Sequence, residues 1–233
     1  MELLGAGRSA DVYAIGDGRV LRRYRWAIDV EAELAVMTYV AAHGYPVPEV
    51  YPGESGSTDL VMRRLTGPTM LHALFAGEIA PEEVGAILAR LLLRLHEIPA
   101  RTSGRPGDRI LHLDLHPDNV MLTPDGPMVI DWANSREGDP ALDYALSAVI
   151  LAEVAVNPDL GIEEGVRPVL AALVARLGDA LDVGEPLDLA KARRGENPTL
   201  SEREIGLLDE AVALVRKLRA DQRQAPPAAA SAT

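Results

Sequence analysis

The chain predicts a bilobal α+β fold, in which a small lobe with an antiparallel β-sheet precedes a larger, mainly helical lobe. Three observations carry that expectation. Up to Met62 the apolar residues fall mostly in short runs bounded by glycine and proline, with one helical stretch among them. Beyond Thr69 they recur every three or four residues over long segments. Within that helical part lies one strand-like island, Leu111 to Trp132, reading LHLDLHPDNVMLTPDGPMVIDW. The divisions are read as 1–64 for the small lobe, 65–67 for a hinge, 68–224 for the larger lobe and 225–233 for a disordered tail.

In the small lobe, Leu3 to Tyr13 is a glycine-rich segment leading into an alternating stretch, Val12 to Ile15. Gly16-Asp17-Gly18 is a turn, and Arg19 to Trp26 reads as the next strand. A dinucleotide fingerprint would open into a helix. This segment opens into a hairpin, which leaves a loop whose amides can cover phosphates, with the Ser9 hydroxyl as a further donor. Asp29 to Ala42 is an amphipathic helix with Val30, Leu34, Met37 and Val40 or Ala41 on one face. Pro46 and Pro48 end it, Leu60 to Met62 is a buried strand, and Arg63 to Gly67 leads out to Pro68.

Helices are expected in the larger lobe at 69–76, 81–96, 139–156, 159–180 and 201–223. Pro81 followed by two glutamates makes a good first turn, and the leucines behind it place that helix in the core, with His96 as a cap or packing residue. The segment 186–200, with Lys191, Arg193, Arg194, Gly195 and Pro198, reads as an irregular connection. From Gln222 the composition turns to alanine, proline and serine, as in a disordered tail.

Composition narrows the function. At 233 residues the chain can bury roughly 70 to 75% of its unfolded surface. It has no cysteine, which excludes a disulfide scaffold, a thiolate metal site and a cysteine nucleophile. No leader-like start and no apolar run near the length of a membrane span is present, so a soluble, cytoplasmic protein without a membrane partner is expected. A formal charge of −12 argues against nucleic acid as a partner. It suits a cationic small molecule, or serves solubility alone. A monomer and a homodimer are equally compatible with the sequence.

The island carries the chemistry. Val120 to Leu122 and Met128 to Ile130 read as two strands joined at Pro124-Asp125-Gly126, so Asn119 and Asp131 become neighbours at the open end. Asp114 lies in the loop entering the same mouth. Magnesium accepts one carboxylate and one amide oxygen and completes its shell with water and phosphate. Asp131 and Asn119 therefore suit the metal, which leaves Asp114 to accept the proton of an attacking hydroxyl. The alternation His112-x-Asp114-x-His116-x-Asp118 has a rival reading as a hydrolytic metal cluster; the alternative is that His112 braces the loop and His116-Pro117 shapes the turn.

His112-x-Asp114-x4-Asn119 followed by Val129-Ile130-Asp131-Trp132 resembles the catalytic and metal motifs of the aminoglycoside phosphotransferase and choline kinase group, within the protein-kinase-like fold. Residues 7–13 are similar to that family's nucleotide loop, 42–48 to the passage after its helix C, and 60–67 to its hinge. The resemblance spans roughly residues 4 to 152. It implies Asp114 as the catalytic aspartate and Asn119 and Asp131 as ligands of Mg2+. It further implies backbone groups of Arg63 and Leu65 against adenine with Met62 behind it, and Ser9 at the phosphates of ATP, or of GTP. Glu33 matches the helix C glutamate, with Glu31 as the alternative. The strand lysine of the family is replaced by Arg22, which keeps the charge with a different geometry. Leu113 stands where these kinases often have glycine.

The activity this implies is transfer of the ATP γ-phosphoryl group to a hydroxyl of a small acceptor. A nucleotide-binding pseudokinase with a regulatory or interaction role is the alternative, raised by Arg22. Aminoglycosides, macrolides, choline-like alcohols and amino sugars all remain as acceptors. Glu137, Asp139, Asp143 and Glu153 are offered as a negative field on the acceptor side, with a helix cap as the other reading of Asp139.

Overall fold

The structure, a computed structural model, describes residues 1–7, 9–26 and 29–224. The expected tail, 225–233, and Arg8 of the glycine-rich loop lie outside the described residues. Strands β1 (Glu2–Ala6), β2 (Ala10–Gly16), β3 (Arg19–Tyr24) and, after helix α1 (Val30–Ala42), β4 (Asp59–Arg63) form one antiparallel sheet in that order. Gly16, Asp17 and Gly18 all have positive φ in the β2–β3 turn. Tyr13 thereby comes opposite Leu21, and on the other edge of β3 Val20 pairs with Met62. The first strand was not expected as a strand. All five of its residues are exposed, so it lacks the alternation that reveals a half-buried strand.

Helix α1 packs on this sheet. Asp29 caps it by accepting the Ala32 amide at 2.9 Å. Its buried stripe is Val30, Glu33, Val36, Met37 and Val40, an apolar face interrupted by one carboxylate.

The chain leaves the sheet through Gly67, whose φ of +132° suits glycine and whose position admits no side chain. A Cβ there would lie 1.9 Å from the Leu122 carbonyl oxygen. The next residue, Pro68, accepts the Leu122 amide at 2.9 Å. Helices α2 (Met70–Phe75) and α3 (Pro81–Leu95) follow, then β5 (Arg109–Leu111), the hairpin β6 (Val120–Thr123) and β7 (Gly126–Val129), and β8 (Arg136–Gly138), which pairs with β5. Helix α4 (Pro140–Val156) begins at the Asp139 cap and is buried along nearly its whole length. Helices α5 (Glu163–Leu177), α6 (Glu185–Gly195) and α7 (Glu202–Gln224) pack around it. At Gly85 helix α3 meets α5 so closely that a Cβ would lie 2.4 Å from the Val169 carbonyl.

Helix α6 corrects the expectation of an irregular segment at 186–200. Pro186 stands in its first turn and Leu187 and Ala190 are buried, but the charged residues around these two mask the period. The expected helix at 159–180 is shorter, with single 3-10 turns at Pro158–Leu160 and Gly178–Ala180 flanking α5. Among the described residues no helix is long and apolar enough to cross a membrane.

Candidate active site

The hairpin forms with Val120 opposite Val129 and Thr123 opposite Gly126, which leaves Pro124 and Asp125 as a two-residue turn. At the open end the Ile130 amide donates to the Asn119 carbonyl at 3.0 Å, so Asn119 and Asp131 flank one mouth. His116 caps the 3-10 turn Pro117–Asn119, and its Nδ1 accepts the Asp118 amide at 3.3 Å. Asn119 Nδ2 donates to the Asp114 carbonyl at 2.8 Å and lies 3.2 Å from His116 Nε2. With the amide nitrogen assigned as the donor to the Asp114 carbonyl, the Asn119 Oδ1 makes no hydrogen bond among the described residues.

The loop before the hairpin is fixed from below. His112 and Leu113 donate their amides to Asp143 Oδ2 and Oδ1 respectively, each at 2.8 Å, and His96 Nε2 lies 3.0 Å from Oδ2. Asp143 is fully buried. Burial alone would raise its carboxyl, but the His96 hydrogen bond and the nearby charges and amide outweigh it and hold the group below the ordinary carboxylate range. The His112 ring reaches Ile130 O at 3.0 Å through Nε2 and stands edge-on to Trp132, which ties the loop to the strand end of Asp131. That makes His112 a brace. Among the described residues no group of three or more His, Cys, Asp or Glu side chains is arranged for a metal, so the hydrolytic-cluster reading gains no support.

Asp114 is open, with a quarter of its side chain exposed, and its Oδ1 lies 3.9 Å from His116 Nε2. Burial lowers the His116 imidazole below its ordinary value, against the pull of Asp114 and Asp118. A neutral ring thus sits beside the proposed base at neutral pH.

From the sheet, Arg22 reaches across to this mouth. It is 8% exposed, with Nη2 2.7 Å from Asp131 Oδ1 and Nη1 3.6 Å from Glu33 Oε1. Burial opposes its charge, but Asp131, Tyr24 and Glu33 outweigh the burial and keep the guanidinium protonated. Burial raises the Glu33 carboxyl above its ordinary value despite Arg22. Of the two candidate glutamates Glu33 is the one that faces Arg22, while Glu31 is exposed.

The structure thus brings together Asp114, Asn119, Asp131, Arg22 and Glu33. Among the described residues Ser9, Met62 and Leu65 make no hydrogen bond or ion pair to that cluster. Ser9 stands just before β2, and its carbonyl accepts the amide of Arg25, just past β3, at 3.0 Å. Met62 is buried in β4. The Arg63 amide is taken by Glu49 O at 2.8 Å, which leaves the carbonyl of Arg63 for a ligand, and the Leu65 amide donates to nothing among the described residues.

The four acids offered as a field for the acceptor are engaged internally, which corrects that expectation. Asp143 holds the loop, and Asp139 caps α4. Glu137 accepts the amides of Arg101, Thr102 and Ser103 at 3.0, 2.9 and 2.7 Å, and Glu153 meets Arg194 Nε at 2.6 Å. Sequence reasoning also passed over Tyr24, which lies two residues beyond Arg22 and therefore on the same face of β3.

The sequence profile described as the phosphotransferase enzyme family matches residues 1–110 and 105–187. The chain belongs to the phosphotransferase enzyme family. Solved structures similar to it include a choline/ethanolamine kinase family protein from Mesorhizobium loti, at 18% identity and a TM-score of 0.52, over 97% of this chain and 88% of that one. A thermostable mutant of the aminoglycoside phosphotransferase APH(4)-Ia, in a ternary complex with ADP and hygromycin B, matches at 17% identity and 0.52 over 92% of both chains. The gentamicin complex of APH(2")-IIa matches at 14% and 0.52, over 97% of this chain and 91% of that one. No curated protein matches the chain in sequence. This phosphotransferase therefore has the bilobal, protein-kinase-like fold that its motifs predict.

Proposed function

We propose that this phosphotransferase moves the γ-phosphoryl group of ATP to a hydroxyl of a small molecule. The observation that carries the reading is the shared mouth of Asp114, Asn119 and Asp131, with the Asn119 amide oxygen and one Asp131 oxygen uncommitted among the described residues. Hard oxygen donors of this kind fit Mg2+. Asn119 and Asp131 would hold the ion, which would neutralise charge on the phosphates. The remaining work falls to the chain itself. Asp114 accepts the proton of the acceptor hydroxyl, Arg22 moves its guanidinium to phosphate oxygens, and Glu33 keeps Arg22 in range. The Leu65 amide and Arg63 carbonyl offer adenine a donor and an acceptor beside Met62, and Ser9 adds a hydroxyl over the phosphates. The binding of ADP by APH(4)-Ia supports a purine nucleotide, and GTP fits the same reading.

In this reading residues 1–64 form the nucleotide lobe, 65–67 the hinge and 68–224 the lobe for catalysis and acceptor binding, in a cytoplasmic enzyme. The contact of Arg22 with Asp131 favours one second reading, a nucleotide-binding pseudokinase whose metal ligand is held by arginine. Titration with ATP and GTP, with and without Mg2+, followed by a hydroxyl-acceptor screen, tests both, with Asp114→Ala and Asp131→Ala as controls. No binding at millimolar nucleotide sinks the kinase reading. Binding with no transfer across the panel favours the pseudokinase.

A further inference from the structure

Tyr24 is buried beneath the cluster and touches two of its members. Its hydroxyl donates to Glu33 Oε2 at 2.5 Å, and the Arg22 guanidinium lies over its ring, 4.8 Å from the centroid. The two Glu33 oxygens are therefore unequal. Oε2 belongs to the tyrosine, while Oε1 faces Arg22 at 3.6 Å, beyond hydrogen-bonding distance, and is buried with no close hydrogen-bond partner among the described residues. Arg22 is held on three sides by different forces: the charge of Glu33, the ring face of Tyr24 and a hydrogen bond at 2.7 Å to Asp131. The hydrogen bond must yield if Asp131 is to serve a metal. The other two do not depend on Asp131.

We propose that Tyr24 is a positioning residue that makes an arginine serviceable at this place in the sheet. Its hydroxyl fixes Glu33 and its ring carries the guanidinium, so that Arg22 exchanges the Asp131 carboxylate for a nucleotide phosphate without leaving its seat. A planar, delocalised cation can use a ring face in this way more fully than an ammonium point charge, so the tyrosine belongs functionally to the arginine. The assignment rests on the proposed nucleotide site.

Calorimetric titration of the full chain with Mg-ATP and with adenosine tests it. Tyr24→Leu is expected to weaken Mg-ATP about tenfold, on the scale of a desolvated cation–π contact, and Tyr24→Phe, which keeps the ring, about threefold. Adenosine, which has no phosphate, binds all of these within twofold of the parent and so also reports that each variant is folded. In an Arg22→Ala background Tyr24→Leu costs no further Mg-ATP affinity. Equal losses for adenosine and Mg-ATP, or an undiminished effect in the Arg22→Ala background, overturn the assignment and reduce Tyr24 to packing. A parent that binds Mg-ATP with no dependence on Tyr24 overturns it while leaving the kinase reading intact, and a parent that binds no nucleotide ends both.

Discussion

Leu113 donates its amide to Asp143 Oδ1 at 2.8 Å from a backbone at φ +62°, so a buried carboxylate holds a leucine in the left-handed region next to the proposed base. Left-handed backbone costs an ordinary residue roughly 1–2 kcal/mol, and burying a leucine side chain returns about 1.5–3 kcal/mol. The order of stability on truncation should therefore be inverted. Leu113→Ala loses the burial and keeps the strain, whereas Leu113→Gly loses the burial and relieves it. Urea denaturation should show the glycine variant more stable than the alanine variant by about 1 kcal/mol. The opposite order would mean that the loop does not require a positive φ.

Asp143→Asn presents an amide group to three donors in a site closed to water. A loss of about 3 kcal/mol is expected, since a buried donor left without its acceptor keeps its full desolvation penalty. Because the loop of Asp114 hangs from this carboxylate, kcat should fall more than the KM for nucleotide does. A variant of parental stability, measured by thermal and chemical denaturation, would refute the role.

Glu137 supplies the pH dependence. Burial opposes its ionisation, but the amides of residues 101–103 and the Thr102 hydroxyl lower its carboxyl to about 2, from 4.5. A carboxylate depressed on folding stabilises the protein above its unfolded value and loses that contribution as pH falls through the folded one. Glu137→Gln should cost about 1.5–3 kcal/mol at pH 7, and the gap to the parent should close between pH 4.5 and 2. A gap that stays constant over that range would sink the assignment.

Asp131→Ala removes a proposed metal ligand and the hydrogen-bond partner of Arg22 together. Mg2+ should then cease to strengthen ATP binding, while the affinity for adenosine stays near that of the parent. Retained magnesium dependence, read by titration with and without the ion, would place the metal elsewhere.

The legible parts of this chain are those where chemistry and period coincide. The Pro-Asp-Gly turn between two apolar runs gave away the hairpin, and with it Asn119 and Asp131. Glu33 was separable from Glu31 in principle, because it falls three residues from both Val30 and Val36 on the buried stripe of α1. Strand β1 offered no alternation, and α6 hid two buried residues among charges. Asp143 was misjudged because a sequence records where an acid stands and not whether water reaches it. Its partners are main-chain amides thirty residues away, which no motif spells out.

Gly67 ties the strap leaving the sheet to the hairpin of the proposed site. The strap leaving the sheet lies against the Leu122 carbonyl, Pro68 accepts the Leu122 amide, and Arg63 stands 3.7 Å from Asp125 in the turn of the same hairpin. The far end of that hairpin is the mouth of Asn119 and Asp131. Strap and mouth are thus two ends of one short hairpin, and on the proposed reading a tilt of the sheet at the strap would reach the proposed metal ligands without an intervening joint.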